Sequence, residues 1–355
     1  MATSEQLSAY CRGFAQAFEP WPALPLADAA ELAWWRELLG DQGRVQQGHV
    51  RQDQVRHGQV VVNALTAALP QLRLPQVHGI SSSDLYRAVV LRGNDPDSPE
   101  LLAAAHQIGP PPQWQQPEAL QLWIAPHPCG AMPVLQTPSW ADFALLVRAL
   151  AHRAEPVDLA DGVHAQAISG LIHWGLIQHF GRDCRARLIV LHQAPYGSVG
   201  AEQVPGSLSE EAWLAASTTW RLEHELTHLA TKRLLGKMRL NLLDELIADC
   251  MGMVAALGSF DAGLFGRCLG IDVNHGDTPI ANGRWHSYTR ELSDAEAREV
   301  VGLVMARAHE LESELQREPW LLLPTRAMER LQWLCQQQLD QPISSPAEGN
   351  PASLH

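Results

Sequence analysis

Residues 220–230 read WRLEHELTHLA, with histidines at 224 and 228 and a glutamate directly after the first. Side chains four residues apart leave a helix from the same face. Both imidazoles can therefore reach one ion, which neutral imidazole binds at about 2.0–2.1 Å when the ion is zinc. Glu225 lies about 100° further round the helix. It is displaced from the ion but within reach of water beside it. The H-E-x-x-H pattern thus draws two ligands and one base from a single turn. The flanks support a helix. SLSEEAWLAASTTWRLEHELTHLATKRLLG, 207–236, reads as one long helix, with Ser207 and Glu210 spaced for a capping box and Gly236 as a natural stop.

The next segment, LLDELIADCMGMVAAL at 242–257, is a second helix with Asn241 as its cap. Glu245 follows His228 by seventeen residues. It can complete a set of two histidines and one glutamate, leaving an open position for water. Asp249 comes one turn later on the same face. It can accept a hydrogen bond from the outer ring nitrogen of a liganding histidine, fixing its tautomer and raising its basicity. The break at Gly236 lets the second helix turn back on the first. The plain alternatives are a packed, hydrogen-bonded histidine pair and the polar face of an ordinary amphipathic helix.

These residues resemble the gluzincin group of zinc metallopeptidases, the thermolysin-like architecture. That group carries H-E-x-x-H on one helix and E-x-x-x-D on the next, matched here by His224, Glu225 and His228, then Glu245 and Asp249. The resemblance implies His224, His228 and Glu245 as ligands of one Zn2+ per chain, Glu225 as general base and Asp249 as the group that orients a ligand. It also implies a cleft-lining strand before the zinc helix, for which RLIVLHQ at 187–193 is the candidate. The chain departs from the group's pattern at Asp244, where Asn is frequent, and in the short gap between the motifs. It has no GAMEN-like segment and no third metzincin histidine, and Met251 and Met253 read as helix core. The resemblance is limited to the site region.

Hydrolysis at such a centre leaves negative charge on a carbonyl oxygen, which a nearby donor must stabilise. His275, Arg284, His286 and Tyr288 stand in the loop after the ligand helices. His286 and Tyr288 are favoured, being close in sequence and beside the next helix. His164, His173 and His179 sit in an apolar-rich stretch that suits buried, satisfied histidines.

The 355 residues, 46% hydrophobic with 12 Trp, can bury a large core. A net charge of −13 argues against binding nucleic acid or anionic lipid. No run of 18 apolar residues marks a membrane span, and no signal-peptide pattern opens the chain, so a cytoplasmic location is the default. The six cysteines are widely spaced, without a C-x-x-C pair, and read as reduced thiols.

The expected fold is α+β and predominantly helical: a zincin-like region with a short sheet beside a long H-E-x-x-H helix, then a second ligand helix. Residues 1–160 read as a mixed α/β region of unknown role, 161–340 as the metal-binding, mostly helical domain, and 341–355 as a frayed tail. Helices are expected over 1–40 with a proline break, 49–69, 100–108, 140–154, 161–180, 293–315 and 325–339. Strands are expected at 120–126, 132–140 and 185–195, and a short one within 84–93. The expected activity is cleavage of a peptide or small amide by activated water. Oligomeric state is left open. Two other readings stay open: an enzyme modifying a peptide or metabolite through iron or manganese, since two histidines and a carboxylate also form the non-haem iron triad, and a helical interaction protein with a structural or vestigial site.

Overall fold

The computed structural model describes residues 5–14, 21–40, 55–159, 162–236, 238–239, 241–280 and 283–346. The fold is α+β and mostly helical. It divides into two compact units, a helical unit of residues 1–22 with 195–355 and a sheet unit of residues 23–194. The division falls at 194/195 and not near 160, because 165–192 supplies two strands to the sheet. Helix α1 (Glu5–Cys11) opens the chain and belongs to the helical unit.

The sheet unit runs α2 (Leu32–Leu39), β1 (Arg56–His57), α3 (Gln59–Ala68), α4 (Asp84–Tyr86, continued by a π-helical turn Arg87–Leu91), α5 (Pro99–Ile108), β2 (Gln121–Ala125), β3 (Met132–Thr137), α6 (Trp140–Ala151), β4 (Ala165–Leu171), α7 (Trp174–Phe180) and β5 (Ala186–His192). The strand order is β1-β2-β3-β5-β4. Only β3 and β5 pair in parallel, so they need a crossover, and α6 lies within it. Ser139 caps α6 by accepting from the Asp142 amide. Leu135, Phe143, Leu146, Val147, Leu188 and Val190 form part of the core between helix and sheet.

Four sequence expectations change here. Residues 84–93 form no strand: Ser83 caps a helix whose Leu85 and Val89 are buried. The helix expected over 161–180 is β4 followed by α7. Pairing with β5 overrides the helical pattern, and Ile168 and Leu171 turn inward while Ser169 and Gly170 stay exposed. Strand β5, expected to edge a cleft, lies inside the sheet, and β4 is the edge. Of the helix expected over 49–69, residues 59–68 are helical, Arg56–His57 instead pair with β2 as β1, and 49–54 lie outside the described residues.

The helical unit continues with α8 (Glu210–Leu235), α9 (Leu242–Leu257), α10 (Ala262–Leu269), the hairpin β6 (Ile271–Asp272) and β7 (Thr278–Pro279), α11 (Trp285–Tyr288), α12 (Asp294–Arg317) and α13 (Ala327–Leu334). Helix α8 starts two residues later than the expected box: Ser209, not Ser207, accepts from Ala212 N. Glu210 and Glu211 then suit the helix dipole. Gly236 ends the helix in the left-handed conformation, at φ 74°. Asn241 caps α9 as expected, accepting from Asp244 N at 3.0 Å. Ser293 and Glu296 form a capping box at the start of α12. Helices α8 and α9 pack closely at Gly252, where a Cβ would lie 2.6 Å from the Trp220 carbonyl oxygen. All six cysteines are free thiols. Among the described residues, no single helix is long and apolar enough to cross a membrane.

Candidate metal centre

His224 and His228 project from one face of α8 toward α9, where Glu245 sits in the first turn. The two Nε2 atoms are 3.0 Å apart. Glu245 Oε2 is 3.6 Å from His224 Nε2, and Oε1 is 3.3 Å from His228 Nε2. Two ligands of a tetrahedral zinc, each at about 2.0–2.1 Å, are separated by about 3.3 Å, so the set fits such an ion. Among the described residues this is the one group of three ligand-type side chains that converges, with all ligand atoms within 4.8 Å. The arrangement is gluzincin-like, with two histidines one turn apart on one helix and a glutamate from the next.

Hydrogen bonding supports the same fit. Buried polar atoms normally find partners. Yet Glu245 Oε2, one of the converging ligand atoms, is buried without a hydrogen bond among the described residues. His224 and His228 are each 5% exposed and Glu245 2%. Burial alone would push the Glu245 carboxyl up. The imidazoles of His224 and His228 and the Arg284 guanidinium outweigh it and hold Glu245 at about 2. Burial would likewise lower His228, but Asp244 and Glu245 raise it well above the usual histidine value.

Each ligand histidine turns its outer nitrogen to a carboxylate. His224 Nδ1 is 2.7 Å from Asp249 Oδ1, the contact expected of Asp249. His228 Nδ1 is 3.4 Å from Asp244 Oδ2, so Asp244, a departure by sequence, is the second such carboxylate. Its other contact is Arg239 N, at 3.0 Å from Oδ2. Asp249 is itself held. Tyr196 donates its hydroxyl to Oδ1, and Trp220 Nε1 donates to the same oxygen at 3.0 Å. The Tyr196 ring stacks on Trp220 with centroids 4.1 Å apart, and Tyr196 N donates to Ser217 Oγ at 2.9 Å. Burial first, then the Asp249 charge, raises the Tyr196 hydroxyl well above its usual value, so it remains a donor.

Glu225 is half-buried on the turn that carries both histidines, and its charge acts on Arg221. The loop donors separate. Arg284 Nη2 lies 3.6 Å from Glu245 Oε2 and donates to the Tyr288 hydroxyl at 3.2 Å. Burial raises Tyr288, with Arg284 opposing, so its hydroxyl stays protonated. His286 is exposed, its ring stacked on Trp285 at 3.6 Å. His275 is exposed and paired with Asp272. The structure therefore brings Tyr288 and Arg284 to the centre and leaves His286 outside it. His164 meets His192, and His173 caps α7.

Sequence reasoning missed Tyr196 and Trp220 as supports of Asp249. Tyr196 stands in a Gly-rich loop with no motif, and Trp220 reads as plain core.

The profile of a family described as a family of unknown function (DUF7005) matches residues 40–186 and 182–345. That span is most of the chain, and the protein belongs to this family. No curated protein and no solved structure matches it significantly.

Proposed function

We propose that the chain is a zinc-dependent hydrolase that opens a peptide or small amide bond. The carrying observation is the convergence of His224, His228 and Glu245, with Glu225 on the same helical turn. His224, His228 and Glu245 would hold one Zn2+. A bound ion would supply Lewis acidity and acidify water. Glu225 takes a proton from water and returns it to the leaving nitrogen. Arg284 and Tyr288, both donors beside Glu245, face the charge that develops on the carbonyl oxygen. Asp249 holds the His224 ring with its inner nitrogen toward the ion position, and Asp244 faces the outer nitrogen of His228 at 3.4 Å.

The test compares wild type with Glu225→Gln on a mixed peptide library, with metal content measured in both. The expected result is unchanged metal and cleavage lowered by about 10²–10⁴-fold, the usual range for a lost acid–base group. Equal cleavage by the two proteins would remove the base. A structural ion in a non-catalytic protein is the second reading, favoured by the near-complete burial of all three ligands. It predicts no cleavage by either protein and no exchange of the ion under dialysis. Iron in place of zinc is decided by elemental analysis of protein purified without added metal.

A further inference from the structure

Helix α5 differs from the other helices of the sheet unit in that none of its ten residues is buried. A helix this short is marginal in water and depends on packing its apolar stripe. Leu101, Ala104 and Ala105 pack against an apolar cluster that includes Leu85 and Val89, and Leu101, Leu102 and Ala105 also line a cavity of about 440 Å³ shared with Val62 of α3 and with Leu85 and Val89 of α4. Leu85 and Val89 lie on either side of the junction where α4 passes into its π-helical turn. Such turns are rare and recur at functional sites.

The size and chemistry of the cavity select an occupant. Cavities of about 300–1,000 Å³ hold small ligands. An apolar void of about 150 Å³ takes benzene, so this one takes roughly fifteen non-hydrogen atoms. Gln59, Asn63, Thr66 and Arg73 of its lining are already matched, and His106 is exposed. Arg73 binds both oxygens of Asp97, with Nη1 to Oδ2 at 3.0 Å, and Gln59 Nε2 donates to Asn63 Oδ1 at 2.9 Å. An ionised ligand would lose its hydration without gaining a counter-charge. An uncharged apolar one would gain burial against Leu102, which is 37% exposed.

We propose that the cavity between α3, α4 and α5 is a binding site for an uncharged apolar small molecule, an alkyl chain or fused ring of roughly fifteen non-hydrogen atoms. Its occupation buries Leu102 of α5. The site is independent of the metal centre and of the hydrolytic reading.

The test titrates the full chain with N-phenyl-1-naphthylamine, an uncharged fluorescent probe, and displaces it with 1-dodecanol or with dodecanoate. Saturable binding, displaced by the alcohol at about tenfold lower concentration than by the carboxylate, is expected from the desolvation of the charge. Ala105→Trp fills the cavity and should weaken the probe at least about tenfold. Ala103→Trp, on the exposed side of the same helix, should leave binding unchanged. If Ala105→Trp loses helical content, Leu102→Asp carries the same expectation from a half-open position, where Leu102 is 37% exposed. His224→Ala should bind the probe like wild type, whatever its effect on metal. Unsaturable binding, equal binding by the two Trp variants, or a preference for dodecanoate would overturn the proposal. Displacement by a proline-rich peptide but not by the alcohol would also overturn it, because the occupant would then be a partner chain.

Discussion

The helical unit and the sheet unit both bury histidine, and the same ring ends in opposite protonation states. His173, 3% exposed at the start of α7, meets Trp34 and the Gly175 amide, and burial lowers it to about 4. His228, 5% exposed, suffers the same desolvation, but Asp244 and Glu245 reverse it. The sheet unit even holds its own facing pair. His164 and His192 approach at 2.9 Å between Nδ1 atoms, bordered by Trp140, and no third ligand-type group joins them among the described residues. Two imidazoles in contact are therefore not enough for an ion site. The carboxylates around them make the difference.

The largest effect should come from removing a ligand. His224→Ala or Glu245→Ala should lose the ion entirely on dialysis, read by elemental analysis, while His192→Phe retains it. Retention in Glu245→Ala would break the assignment of the third ligand. Next is the pH dependence of His173. Its folded value lies below the ordinary 6.5, so the unfolded chain binds the extra proton between about 6.5 and 4. Its stabilising contribution is full above 6.5 and is lost as pH falls toward 4, on the order of 3 kcal/mol. Thermal melts across this window should show the loss, and His173→Asn should flatten it. A slope unchanged in the variant would move the cause elsewhere.

Smaller changes are expected around the ion. Asp249→Asn and Tyr196→Phe should each weaken metal binding by about 10–100-fold, measured by competition with a chelator. An unaltered constant in Tyr196→Phe would leave Trp220 as the sufficient support of Asp249. Because His228 is raised, it carries a proton at neutral pH in ion-free protein, and metal uptake must release it. Affinity should therefore fall as pH falls, and a weakly buffered indicator should register the release. Asp244→Asn should diminish it. The smallest effect belongs to His192→Phe, which should cost only about 1–2 kcal/mol in the sheet unit through the lost contacts with His164 and the Pro138 carbonyl. A much larger loss would show that the pair supports more than its own contact.

The centre was legible in sequence where its residues are local. His224, Glu225 and His228 share one turn, Gly236 and Asn241 punctuate the two helices, and Glu245 and Asp249 share one face of the second. Proximity in sequence favours His286 over Arg284 wrongly, because the fold and not the spacing aims Arg284 at Glu245 and stacks His286 on Trp285. Tyr196 reaches Asp249 across 53 residues, and no local pattern signals such a contact. The sheet unit was harder to read. AQAISGL carries small and polar residues that suit several structures, and its strand exists because β5 offers a partner. Helix α10, only eight residues long, was not anticipated.

Gly252 stands seven residues after Glu245, two turns along the same face of α9, with Trp220 pressed against it. That contact acts as a stop which sets how far the two ligand-bearing helices stand apart. A methyl group at 252 would wedge the jaws open, and an ion held between them should then shift in preference toward larger radius, from Zn2+ toward Cd2+. Competition between the two ions on Gly252→Ala would read that shift, and an unchanged ratio would show that the side chains, not the helix backbones, set the aperture.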